Sequence, residues 1–133
     1  MNRQFHHIGV ACRDLDAEAA CFAAAGYVAE APDFEDPVQG VAGRFLVGGG
    51  PRLELLRPLG GHSVLAPWLK GGAKFYHLAY EVPDLEAALT ELRKERAKVV
   101  VPPVPAVAFQ GRRIAFVLFP NLFLMELIAQ ATE

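Results

Sequence analysis

Four ionisable residues stand in segments that are otherwise apolar. Glu126 lies in Leu122-Phe123-Leu124-Met125-Glu126-Leu127-Ile128-Ala129, and Glu54 in Leu53-Glu54-Leu55-Leu56. His7 lies in His6-His7-Ile8-Gly9-Val10, and His77 in Tyr76-His77-Leu78-Ala79-Tyr80. Short aliphatic and aromatic runs of this kind read as buried strands. Burying an unpaired carboxylate costs an amount comparable with the whole stability of a small domain. Glu126 therefore calls for a buried base, a hydrogen-bond network or a metal ion. Two neutral imidazoles and two carboxylates around a divalent ion give a formally neutral set, with water completing an octahedron. A substrate with adjacent oxygens could replace that water. The metal would then act as a Lewis acid, stabilising the enediolate formed when an α-proton leaves. Glu126 is both a candidate ligand and the candidate catalytic proton shuttle. Mixed nitrogen and oxygen ligation suits Ni, Co, Zn, Mn or Fe and does not choose among them. Singly, each residue has a plainer explanation: a strand histidine in a core, or Glu54 as a surface ion pair with Arg52 or Arg57. The set carries the metal reading. His6 and His62 are read as structural.

The elements that must position these residues come from a repeat. His7 and His77 are each followed seven residues later by a similar tetrad, Asp14-Leu15-Asp16-Ala17 and Asp84-Leu85-Glu86-Ala87. Gln39-Gly40 recurs as Gln110-Gly111, and Glu54 recurs as Glu126. Four landmarks in one order indicate an internal duplication, too long a unit for most solenoids. Each half reads as a strand bearing His, a helix opened by an Asp N-cap, and three strands, the last bearing Glu. In the first half these are strand 4–11, a helix to about 25, and strands 27–31, 42–47 and 52–57. In the second they are strand 74–82, a helix to about 97, and strands 98–101, 113–119 and 122–128. The fold class is therefore α+β, two tandem βαβββ modules. Module one covers about 1–58, a linker 59–72 carries a short amphipathic piece with Trp68, and module two covers about 73–133. The whole of 1–133 reads as one domain.

Composition narrows the function classes. The chain has 133 residues, 53% apolar and 21% charged, enough to bury a core and inconsistent with disorder. The net charge is −2, and the nearest basic run, Arg93-Lys94-Glu95-Arg96, is broken by a glutamate. That argues for a solvated helix face and against nucleic-acid binding. No apolar stretch reaches the roughly 18–20 residues of a membrane span, and no signal-peptide pattern opens the chain. Cys12 and Cys21, both in apolar segments, are expected as buried free thiols of a cytoplasmic protein.

The segments His7-Ile8-Gly9-Val10-Ala11, Leu53-Glu54-Leu55-Leu56-Arg57-Pro58-Leu59, Tyr76-His77-Leu78-Ala79-Tyr80-Glu81-Val82 and Met125-Glu126-Leu127-Ile128 together resemble the vicinal oxygen chelate superfamily. That superfamily includes glyoxalase I, methylmalonyl-CoA epimerase, extradiol dioxygenases and bleomycin-resistance proteins. The resemblance covers nearly the whole chain. It implies a curved sheet around a metal cleft, one divalent ion at His7, Glu54, His77 and Glu126, a small-molecule substrate and a homodimer. Among its members, glyoxalase I-like isomerisation of a hemithioacetal (a 2-oxoaldehyde–thiol adduct) is the first expectation, because it needs only the metal and one shuttling carboxylate. The Ala25-Gly26-Tyr27 helix end is similar to compact members of that group. The glyoxalase positions for an Arg and an Asn near glutathione are Ala11 and Pro58 here, which leaves the thiol open. An acyl-CoA epimerase of the methylmalonyl-CoA type is the second reading, on residues 53–59 and Trp68-Leu69-Lys70. The second carboxylate of that group, four residues after the Gln of a Gln-Gly pair, falls on Gly43. Its His-Pro-Lys turn is replaced by Phe119-Pro120-Asn121. A metal-free binding or resistance protein, its cleft lined by Phe45, Tyr76, Tyr80, Trp68 and Phe109, is the third.

Overall fold

The computed structural model describes residues 2–61 and 63–131. Two compact units emerge, one of residues 7–76 and one of residues 1–6 with 77–133. The first contains most of β1 (Gln4–Ala11), then α1 (Leu15–Ala23), β2 (Val28–Ala29), β3 (Phe34–Asp36), β4 (Val41–Val47), β5 (Leu53–Pro58) and α2 (Ala66–Lys70). The second contains β6 (Phe75–Val82) from His77 onward, α3 (Leu85–Lys94), β7 (Lys98–Pro105), β8 (Arg113–Leu118) and β9 (Leu124–Ala129). The α+β class and the two βαβββ passes expected from the sequence are present, with β3 as an addition to the first.

Both helices start where a short acceptor ends a strand. Asp14 and Asp84 are extended, and each carboxylate accepts the N–H three residues on, from Ala17 and Ala87, at 3.0 Å. This satisfies a first-turn donor that the helix leaves open. In α3, Leu85, Ala88, Leu89 and Leu92 form the buried stripe. They pack on Ala115, Val117, Met125 and Leu127 of β8 and β9. In the first unit, Leu15 of α1 joins Val10, Leu53 and Leu55 in the equivalent core.

Within the first unit β5 runs parallel to β1 and antiparallel to β4, and β2 and β3 both pair with β4. Within the second, β9 runs parallel to β6 and antiparallel to β8, which pairs with β7. The two units thus repeat one ladder, in which the His strand lies beside the Glu strand and the Glu strand beside a third. Because alternate residues face opposite sides, Leu53 and Leu55 face the helix while Glu54 faces away. Met125 and Leu127 likewise face α3, and Glu126 does not. The far face is buried too: Leu124 and Ile128 are 6% and 0% exposed. Strands buried on both faces lose polar alternation, which is why β9 reads as a continuous apolar run.

Five expectations need correction. The strand expected at 27–31 shrinks to Val28–Ala29, and β3 forms where none was foreseen. The strand expected at 98–101 continues through three prolines to Pro105, because β7 pairs only with β8 and its register shifts twice. An edge strand with bulges tolerates missing N–H donors. The last strand begins at Leu124, since Leu122 has φ 71° and is 71% exposed in the preceding turn. Cys21 is exposed on the outer side of the Ala-rich α1. Cys12 is buried as expected, and burial with the nearby Glu18 charge pushes its thiol up to about 11. It stays protonated and acts as a small apolar residue. No helix among the described residues is long and apolar enough to cross a membrane.

Two measurements check these local causes. Asp84→Ala should lower the stability by about 1 kcal/mol in a urea titration. Arg44 binds Asp33 at 2.8 Å and holds its carboxyl below the usual range. The stabilisation from a depressed carboxyl is complete above its unfolded value and fades as acid protonates it. The stability gap between the native chain and Arg44→Gln should therefore be constant at neutral pH and close as pH falls below 3.8.

Candidate functional site

Among the described residues, five polar or charged side chains are buried: His7, Asp36, Glu54, His77 and Glu126. Asp36 is explained by its own turn. Its carboxylate accepts the Val38 and Gln39 N–H groups at 3.2 Å and the Gln39 side-chain amide at 2.9 Å. The other four are the residues marked out by the sequence, and they fall into two pairs.

In the first unit, His7 Nε2 lies 3.2 Å from Glu54 Oε1, with the side chains 0% and 4% exposed. In the second, His77 Nε2 lies 3.2 Å from Glu126 Oε1, again 0% and 4% exposed. The surroundings repeat as closely as the distances. Each glutamate sits beside a small residue on its parallel neighbour, Gly9 for Glu54 and Ala79 for Glu126. Each has a phenylalanine across its antiparallel neighbour, Phe45 for Glu54 and Phe116 for Glu126. Those rings meet the imidazoles edge-on, at 5.6 Å and 75° for Phe45–His7 and 5.2 Å and 86° for Phe116–His77. Edge contacts of this kind fix the imidazole plane.

Two donor atoms bound to one ion at roughly 2.1–2.2 Å and a right angle would lie about 3.0–3.1 Å apart. Each observed pair matches that edge. One neutral nitrogen and one carboxylate oxygen per pair is also the mixed donor set that borderline divalent metals take. The residues present fit a metal ion, pair by pair. Glu54 is not the surface ion pair that its neighbours allowed, because Arg52 turns to Glu30 and Arg57 to the Pro58 carbonyl.

Phe116 was not singled out in the sequence, although it stands 71 positions after Phe45, the same offset as Gln110 from Gln39. Phe34 was missed as well. Its ring occupies the place of a side chain at residue 43, since a Cβ built on Gly43 would lie 2.1 Å from the Phe34 ring. Arg44 pairs with Asp16 and Asp33, Arg112 with Glu81, and Arg113 with Glu86. Of the aromatic residues considered for a cleft, Tyr76 packs on Trp68 at 5.7 Å and Phe109 is buried. His6 rests on Phe109, and His62 lies outside the described residues.

Comparison with known proteins adds the following. Residues 6–116 match the model of the Glyoxalase/Bleomycin resistance protein/Dioxygenase superfamily. The chain is 33% identical over 125 residues to the ethylmalonyl-CoA/methylmalonyl-CoA epimerase of Cereibacter sphaeroides, covering 90% of each. It is 32% identical over 100 residues to the mitochondrial methylmalonyl-CoA epimerase of Homo sapiens, covering 71% of this chain and 55% of that one. Among solved structures, it is similar to a variant of Streptomyces coelicolor methylmalonyl-CoA epimerase in complex with 2-nitronate-propionyl-CoA. That match has TM-score 0.79 and 30% identity, and covers 97% of this chain and 98% of that one.

These similarities overturn the expectation of glyoxalase I-like isomerisation, and with it the hemithioacetal substrate and the lyase class. The residues agree. Ala11 is 1% exposed within β1 and Pro58 ends β5, so neither offers a group for a glutathione carboxylate.

The packing over residue 43 is open to test. Gly43→Ala should cost about 1–3 kcal/mol through overpacking against Phe34. In Phe34→Ala/Gly43→Ala the two effects should be strongly non-additive in a double-mutant cycle. Additive costs would show that the ring is not what fills the site.

Proposed function

The chain belongs to the Glyoxalase/Bleomycin resistance protein/Dioxygenase superfamily, and from that premise we propose that it is a metal-dependent epimerase of acyl-CoA thioesters. The observation that carries the reading is the pair of equivalent buried His–Glu couples, His7–Glu54 and His77–Glu126, in a chain similar to acyl-CoA epimerases. In this reading His7, Glu54, His77 and Glu126 would hold one divalent ion, one His–Glu pair coming from each unit. When bound, that ion supplies a Lewis acid that lowers the cost of negative charge on the thioester oxygen.

The chain's own residues do the rest. The imidazoles, set by the edges of Phe45 and Phe116, would offer Nε2 to that ion. The buried, apolar flanks of Glu54 and Glu126 exclude water from the carboxylates, which strengthens every charge interaction there. Glu126 carries the α-proton away. Inversion at carbon needs a second proton carrier. Gly43 supplies none, and Phe34 fills the space where one would stand. Glu54 takes that role in this reading, because its place in its own unit, beside a small residue, a histidine and a phenylalanine, is equivalent to that of Glu126.

A single epimer of methylmalonyl-CoA in D2O tests each step. The native chain should invert the centre and introduce deuterium. Glu126→Gln should lose roughly 10²–10⁴-fold in rate. Glu54→Gln should keep some deuterium wash-in and lose inversion. Full activity in Glu126→Gln would contradict the mechanism. Elemental analysis after dialysis against mixed divalent metals should find about one ion per chain, lost in His77→Ala.

A further inference from the structure

Residues 7–76 contain six lysines and arginines. Four are committed: Arg44 to Asp16 and Asp33, Arg52 to Glu30, Lys74 to Glu18, and Arg57 to the Pro58 carbonyl. The remaining two, Arg13 and Lys70, make no hydrogen bond or ion pair among the described residues. Both line the same cavity of about 380 Å³, together with Pro58, Ser63 and Leu69. No carboxylate lines it among the described residues. A second cavity of about 370 Å³ shares Arg13 and Leu69 with it but is lined as well by Asp14, Glu18 and Lys74, so its charges are balanced and it is not the anion site.

Two uncommitted cations over one carboxylate-free cavity make a site for an anion, and a guanidinium beside an ammonium suits phosphate oxygens. The place of the cavity narrows the ligand. Pro58 shares a face of β5 with Glu54 and lies four residues further along it. Arg13 follows the end of β1, six residues after His7. At 3.3 Å per strand residue these steps amount to about 13 and 20 Å. The arm that joins a CoA thioester to its phosphates spans, from its bond lengths, on the order of 15 Å.

We propose that Arg13 and Lys70 form the docking site for the phosphate groups of a coenzyme A carrier, whose thioester reaches the His7–Glu54 pair along the same sheet face. The inference rests on the acyl-CoA reading for its substrate, while the cationic cavity stands on its own. The site favours a CoA thioester over the same acyl group on a phosphate-free thiol. It also predicts weaker binding as salt screens the two cations.

The metal-loaded protein is titrated calorimetrically with adenosine 3′,5′-bisphosphate and assayed with methylmalonyl-CoA. The native chain should bind the bisphosphate. Arg13→Glu/Lys70→Glu should abolish that binding and raise the KM for the CoA thioester roughly tenfold or more. The milder Arg13→Ala/Lys70→Ala should shift both in the same direction, with far-UV circular dichroism unchanged. Lys94→Glu, at the end of α3, should change neither. Bisphosphate binding that is lost in the variants, without turnover of any acyl-CoA, would support the docking site and sink the epimerase reading. Turnover with an unchanged KM in both double variants would overturn the docking site and leave the epimerase reading standing.

Discussion

The constraint on which the rest of the structure depends is the burial of two carboxylates, Glu54 and Glu126, each 3% exposed on a sheet face built from aliphatic and aromatic side chains. A carboxylate in such surroundings is tolerated only with a partner of matching charge or hydrogen-bonding capacity. In each unit an imidazole nitrogen of the parallel neighbouring strand stands 3.2 Å from the carboxylate. The helices cover the opposite faces, so the polar groups are displayed on the side that the helices leave open. The four side chains stand on strands, and the two glutamates on strands flanked by ladders on both sides, rather than on loops.

Duplication explains why so much was legible. The offset between His7 and His77 nearly matches that between Glu54 and Glu126, so each residue vouches for its counterpart. A lone buried glutamate has many explanations, whereas two in equivalent places have few. The helix starts were legible because an Asp before an apolar stripe has one physical use, and both Asp14 and Asp84 cap as expected.

What escaped the sequence is non-local. Nothing in the local pattern around Phe34 says that its ring lies over Gly43, since that depends on β3 pairing with β4. The prolines of β7 read as a strand's end because local sequence does not reveal that the strand pairs on only one side. Phe116 is an ordinary core residue until its edge is seen against His77. The reaction was misassigned for a related reason. Two histidines and two glutamates are compatible with several chemistries. Gly43 lacks the side chain that would mark the second carboxylate of an epimerase, and residues 53–59 with Trp68-Leu69-Lys70 carry that likeness only weakly.

The central proposal is that His7, Glu54, His77 and Glu126 are the ligands of one divalent ion, and X-ray absorption spectroscopy of the zinc-loaded protein tests it most directly. The account predicts a shell of nitrogen and oxygen at about 2.0–2.2 Å, with outer-shell scattering from two imidazoles and none from sulfur. His7→Ala and His77→Ala should each reduce that scattering to one imidazole. A sulfur ligand, or a spectrum from which either histidine can be removed without change, would contradict it.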